Sequence, residues 1–117
     1  MAKTNKSDKT KPKPSEAPRV TKTLAKKFLA RVPEQNVFWC TDGQLFWDVN
    51  ELKEALPRMS DQTFCYHCND ERKDFSKWIR DVVGDEKLAQ TLETAQDRER
   101  AAKILEERCS LLASKAK

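Results

Sequence analysis

The stretch Asp74-Phe75-Ser76-Lys77-Trp78-Ile79-Arg80-Asp81-Val82-Val83-Gly84-Asp85 decides the fold class. Phe75, Trp78, Ile79, Val82 and Val83 recur at i, i+3, i+4, i+7 and i+8, the spacing that lines one face of an α-helix. Gly84 suits the left-handed position just past the helix end, and Asp85 can cap a further helix bearing Leu88, Ala89 and Leu92. Upstream, Asn69 or Asp70 is expected to cap the Phe75 helix. Downstream, a last helix is expected over about residues 95–114, with Ala101, Ile104, Leu105, Arg108, Cys109 and Leu112 as its stripe.

The same reading extends towards the N-terminus. Ser60 is a good cap for a short helix through about residue 67, with Met59 and Phe64 as its hydrophobic staple. Two aromatic-rich runs, residues 37–40 and 45–47, flank Asp42-Gly43, a strong tight-turn signal, so they read as a β-hairpin. Asp48 or Asn50 caps a helix to about Leu56. Two short strands are marginal in water, so their aromatic face must pack on helices. The expected class is α+β, mainly helical: an N-terminal β-hairpin packed on about four short-to-medium helices, preceded by a disordered basic arm.

The arm is legible in composition. Residues 1–22 are Lys, Thr, Ser and Pro with little that could form a core, and nothing in them offsets the entropy of ordering. Leu24, Phe28 and Leu29 with Lys26 and Lys27 fit a short basic helix over residues 24–31, capped by Thr23 and stopped before Pro33. The division expected is therefore 1–32 as arm and 33–117 as a small globular domain. The net charge of +4 conceals a split along that line. Residues 1–32 carry ten Lys/Arg against two acids, a surplus of eight; residues 33–117 carry thirteen against seventeen, a deficit of four.

At 117 residues there is room for one domain. No apolar run approaches the ~20 residues of a membrane span, and the N-terminus lacks the apolar stretch of a secretory signal. A cytoplasmic protein is expected. The four cysteines then read as thiols rather than a disulfide framework.

Cys65-Tyr66-His67-Cys68 is the constellation closest to chemistry. A Cys-x-x-Cys supplies two zinc ligands of four, with His67, Cys40 and Cys109 available in principle. Against it, there is one such pair and not two, and on a helix His67 points away from the face shared by residues 65 and 68. Zinc is the one cofactor the sequence suggests, with Cys65 and Cys68 as candidate ligands; two small core residues are the simpler reading. A redox role is weaker, because the pair falls near a helix C-terminus, where the dipole does not stabilise thiolate. Two glycines, both assigned to turns, leave none for a phosphate cradle. No nucleophile motif supports an enzyme.

The motif Phe64-x-Tyr66-His67, Asp74-Phe75-x-x-Trp78-Ile79, Gly84-Asp85-x-x-Leu88-Ala89 resembles an uncharacterised prokaryotic domain family, a domain of unknown function. Phe38, Asp42, Gly43 and the Leu52 helix are similar to that family's N-terminal part, so the resemblance covers about residues 36–93 and omits the arm. It implies a small domain, found alone or attached to other modules, with no catalytic residues to carry over. Lys73 departs from the usual Asn, and Cys65 and Cys68 lie outside the motif.

The leading expectation is a non-enzymatic interaction module whose arm binds DNA or RNA, or a ribonucleoprotein, without sequence specificity. Lys3, Lys6, Lys9, Lys11, Lys13, Arg19, Lys22, Lys26, Lys27 and Arg31 would carry it. The alternative is a small accessory domain with a pocket near His67, Asp74 and Trp78 for a small molecule or partner protein. A structural zinc-binding domain is the third reading. Hairpin aromatics left exposed would mark a protein-binding surface.

Overall fold

The structure, a computed structural model, describes residues 20–117. It contains a two-stranded antiparallel hairpin, β1 (Phe38–Trp39) and β2 (Leu45–Phe46), and six α-helices. These are α1 (Lys22–Leu29), α2 (Val49–Ala55), α3 (Asp61–His67), α4 (Asp74–Trp78), α5 (Glu86–Leu92) and α6 (Arg98–Ala116). The mainly helical α+β class expected from the sequence is the one observed; of the arm expected to be disordered, residues 1–19 lie outside the described residues.

Helix α6 is the spine. Ala101, Ile104, Leu105, Cys109 and Leu112 are buried along it, and α1, α2, α5 and the turn Leu56–Arg58 pack against that stripe. Its cap is Asp97, whose carboxylate accepts from Arg100 N at 2.8 Å, so the helix begins three residues later than expected. Ser60 caps α3 by accepting from Thr63 N at 3.0 Å, and the staple residues Met59 and Phe64 are both buried. Asp48 rather than Asn50 caps α2, through Glu51 N at 2.9 Å.

The hairpin register pairs Phe38 with Phe46 and Trp39 with Leu45. Gly43 N donates to Cys40 O at 2.9 Å, Cys40 N donates to Gln44 O at 2.9 Å, and Gly43 has φ +97°. The left-handed residue that ends this short loop is supplied by the glycine, which adopts positive φ without a Cβ penalty. Successive strand residues face opposite ways. Phe38 and Phe46 are therefore buried together with their rings stacked at 5.9 Å, while Trp39 and Leu45 face solvent.

Three expectations are corrected. Asn69 and Asp70 do not cap α4. Asn69 instead closes α3, its Nδ2 donating to Cys65 O at 2.8 Å and its Oδ1 accepting from Glu71 N and Arg72 N. The six residues between α3 and α4 form a tight turn closed by a bridge between Cys68 and Lys73. The expected long helix through Val83 also changes pitch, continuing from α4 as a π turn over Ile79–Val83. It ends at Gly84, whose φ is +95° and whose N–H reaches Ile79 O at 2.7 Å.

The third correction concerns the boundary at 32/33, which falls inside the packed unit. The N-terminal helix runs over Lys22–Leu29 with Thr21 as its cap, not Thr23, and it belongs to the core. Ala25, Phe28 and, beyond the helix end, Val32 are buried, and α1 packs chiefly on α6. Val32 N donates to Trp47 O at 2.8 Å, tying the following segment to the hairpin. The physical reason is that Ala25 and Phe28 share one helical face, to which Ala25 contributes without adding much hydrophobicity to the composition, and Val32 extends the apolar contact past the helix end.

Candidate nucleic-acid interface

With its apolar side against α6, α1 turns its lysines outward. Lys22, Lys26 and Lys27 are all exposed, the helix holds no acidic residue, and the three make no ion pair among the described residues. Lys26 and Lys27 fall in the last turn, where cations also favour the helix dipole, so part of their presence is explained by α1 itself. The same packing excludes a membrane-surface role for α1, because the apolar face such a role would insert is already occupied. Of the other basic positions expected to bind, Lys3, Lys6, Lys9, Lys11, Lys13 and Arg19 lie outside the described residues.

Arg31 continues the basic face into the hairpin. Its guanidinium lies 4.6 Å from the centroid of the Trp47 ring, a cation–π arrangement. Glu51 joins the same corner: its Oε2 is 3.7 Å from Arg31, and its Oε1 accepts from Trp47 N at 2.6 Å. Arg31 nonetheless keeps 61% of its side chain exposed. Two residues before Trp47 is Leu45, cross-strand partner of Trp39, and Trp39 is 73% exposed. Sequence reasoning named the hairpin aromatics without deciding which stay out. The signal was strand alternation: with Phe38 and Phe46 in the core, Trp39 and Leu45 must face away.

His67, Asp74 and Trp78 do come together, as a buried clip rather than the wall of an open pocket. The His67 ring is buried and packed on Phe38 at 5.1 Å, Phe75 at 5.3 Å and Tyr66 at 4.9 Å. Its Nε2 accepts from Thr41 N at 3.0 Å, and its Nδ1 lies 2.9 Å from Asp74 Oδ2. An acceptor Nε2 carries no proton, so Nδ1 is the N–H and donates to the carboxylate. Arg72 completes the set, 2.8 Å from Asp74 Oδ2 and stacked over Tyr66 at 4.4 Å. Hydrogen bonds to Tyr66 and then to Asp74 hold the Arg72 guanidinium above its ordinary pKa. Trp78 is likewise committed, its Nε1 donating to Asn36 O at 2.8 Å. With both nitrogens of His67 and the N–H of Trp78 engaged, the clip offers a ligand no free donor or acceptor on either ring.

This bears on the zinc reading too. His67 has no lone pair left for a metal, Cys40 and Cys109 are buried, and no group of three potential ligands gathers among the described residues. Cys65 is exposed and Cys68 half-buried. Burial pushes the Cys68 thiol up, opposed by the charge of Lys73; burial also raises Cys40, and pushes Cys109 up to about 11. A raised thiol pKa disfavours the thiolate that both metal binding and disulfide exchange require.

One buried ion pair escaped the sequence reading. Asp85, 1% exposed, caps α5 through Leu88 N at 3.1 Å and receives two hydrogen bonds of 2.8 Å from Arg108 of α6. The signal was an arginine within the apolar stripe of α6, where only a charge with a buried partner is stable. Comparisons of this chain with protein-family models, with curated proteins and with solved structures returned no match.

Proposed function

We propose that this chain is a non-enzymatic interaction module that holds a polyanion, nucleic acid or a ribonucleoprotein, through its basic N-terminal segment and the outward face of α1, without sequence specificity. The observation that supports this reading is the unpaired lysine face of α1, Lys22, Lys26 and Lys27. It sits directly after a segment whose residues 1–19 carry six Lys/Arg against two acids. Lysines that neutralise phosphates release counterions, which gives binding that weakens steeply with salt and ignores sequence. Residues 20–117 hold seventeen basic and seventeen acidic side chains, so the body contributes no net attraction and the local face must supply it. A pocket at His67, Asp74 and Trp78 has less support, because the polar atoms of its rings are spent within the fold.

The test is a salt series with the full chain and a chain beginning at residue 20, on labelled DNA and RNA. Cutting at residue 33 would strip α1 from the core and confuse lost binding with lost folding. Steep salt dependence in the full chain, reduced when residues 1–19 are removed, is the expected result. Binding indifferent to salt would overturn the reading.

A further inference from the structure

We propose that the recess between α5 and α6 is a binding site for a small aliphatic carboxylate, whose charged end pairs with Arg108 and whose chain lies on Leu88, Ile104 and Leu111. The site goes beyond the polyanion reading and shares no residue with the lysine face of α1. Arg100, Ile104, Arg108 and Leu111 follow one another on α6 at i, i+4, i+8 and i+11, which puts them on one side of the helix. Lys87, Leu88 and Thr91 of α5 stand opposite, and the two sets line a recess of about 230 Å³. Leu88 and Ile104 are buried, while Leu111 is 40% exposed.

The unspent nitrogen of Arg108 selects the ligand. The side chain is 14% exposed, its Nε and Nη2 are both given to Asp85 at 2.8 Å, and its Nη1 has no partner among the described residues. A nearly buried donor without an acceptor is costly, so an anionic oxygen that enters the recess gains on it. Asp85 already balances the charge of Arg108. The guanidinium of Arg100 is exposed and without a partner among the described residues, and it adds attraction that Asp85 does not offset. Glu107 is the one acid of the lining, and it too is exposed. A phosphate would need more donors than one nitrogen offers and would leave oxygens unpaired against leucine and isoleucine. A neutral alkane would leave Nη1 as it is. An aliphatic carboxylate meets both requirements. The volume lies below the roughly 300–1,000 Å³ of drug-sized sites, which limits the ligand to a small one. Arg108 also lines a second cavity, of about 120 Å³, with Val20, Leu24 and Phe28. That cavity is smaller and lacks Arg100, so the α5–α6 recess takes the ligand.

The experiment titrates the full, isotope-labelled chain with octanoate, and with octanol as the uncharged control, following amide and guanidinium resonances. Octanoate should give saturable shifts at Leu88, Thr91, Ile104 and Leu111 and should move the Arg108 guanidinium signal. Octanol should bind roughly tenfold more weakly, because it lacks the charge-assisted bond. Arg100→Gln should weaken octanoate binding roughly two- to fivefold. Leu111→Glu should weaken it roughly tenfold, through lost apolar contact and an added like charge. Both positions are exposed, so neither variant carries the loss of folding expected when Arg108 itself is replaced. Lys22→Gln, Lys26→Gln and Lys27→Gln together should leave octanoate binding unchanged. Four results would overturn the site: no saturable binding of octanoate, octanol binding as tightly, shifts confined to Val20, Leu24 and Phe28, or Leu111→Glu binding octanoate as the parent does. So would a Leu111-dependent dimer in sedimentation, which would give the recess to a second copy, or an acidic peptide binding there where octanoate fails, which would give it to a partner protein.

Discussion

The backbone N–H of Thr41, in the hairpin turn, donates to Nε2 of His67, at the last turn of α3, across 3.0 Å. That single bond joins elements 26 positions apart and fixes the tautomer of the ring, which in turn directs Nδ1–H at Asp74. A histidine that looks poised for acid–base chemistry is thereby a fastener. It holds the hairpin against α3 and α4, with Phe38 packed between its ring and those of Phe75 and Trp78.

Replacing His67 with alanine should therefore cost stability rather than a bound ligand. The change opens a cavity among Phe38, Phe75 and Tyr66 and leaves the Thr41 N–H and the Asp74 carboxylate short of a partner. A loss of about 2–4 kcal/mol is expected in urea unfolding. A variant that keeps its stability and loses binding to a small molecule would restore the pocket reading.

Asp85 and Arg108 form the other fastener, between the cap of α5 and the spine. Arg108→Met leaves a buried carboxylate without its counter-charge and should destabilise by about 3–5 kcal/mol. Asp85→Asn retains a capping side chain and should cost less. Chemical denaturation of both singles and the double variant checks this, and the double should cost less than the two singles summed.

The cysteines should separate by reactivity. Cys65, exposed, is expected to be alkylated first under native conditions, and Cys40 and Cys109 only at the rate of unfolding. Because burial raises Cys109 from 9.0 to about 11, the folded chain holds that proton more tightly than the unfolded one. Its contribution to stability is complete below pH 9.0 and is lost as the pH rises towards about 11. Mass spectrometry after timed alkylation, with denaturation curves across that window, measures both. Rapid native labelling of Cys109 would contradict the packing of α6.

Gly43 and Gly84 adopt φ of +97° and +95°. A Cβ would meet nothing within 4 Å at Gly43, and only the Phe28 ring at an ordinary 3.7 Å at Gly84. Alanine at either site should thus cost the backbone strain alone, on the order of 1–2 kcal/mol, and the two should be similar. A much larger loss at Gly84 would mean that the junction of α1 with the π turn is tighter than the distances imply.

Much of the fold was legible in the sequence because its signals are local. Ser60, Asp48 and Asp85 cap the helices they were expected to cap, and Asp42-Gly43 makes the expected turn. What escaped depends on contacts between distant elements. Ala25 looks like arm composition until α6 is placed against it, and Arg108 looks like a stripe defect until Asp85 meets it. Asn69 has the chemistry of an N-cap and is used to close the preceding helix instead, a choice set by Cys65 O lying within reach. The lysines of α1 were read as part of the basic arm, and their display on a helix packed against the core was not foreseen. Nor was Arg31 on Trp47, since cation–π pairs leave no trace in spacing.

The most direct measurement is the salt dependence of RNA binding for the full chain against the chain carrying Lys22→Gln, Lys26→Gln and Lys27→Gln. If α1 contacts phosphates, the parent should show a steep linear fall of log affinity with log salt. The substituted chain should bind more weakly, with a slope shallower by roughly 0.7 for each lost contact to a single strand. Its stability should fall only slightly, by the roughly 0.3–1 kcal/mol that each last-turn cation lends the helix dipole, because all three lysines are exposed and unpaired. Equal affinity and equal slope for the two chains would contradict a binding role for the α1 face.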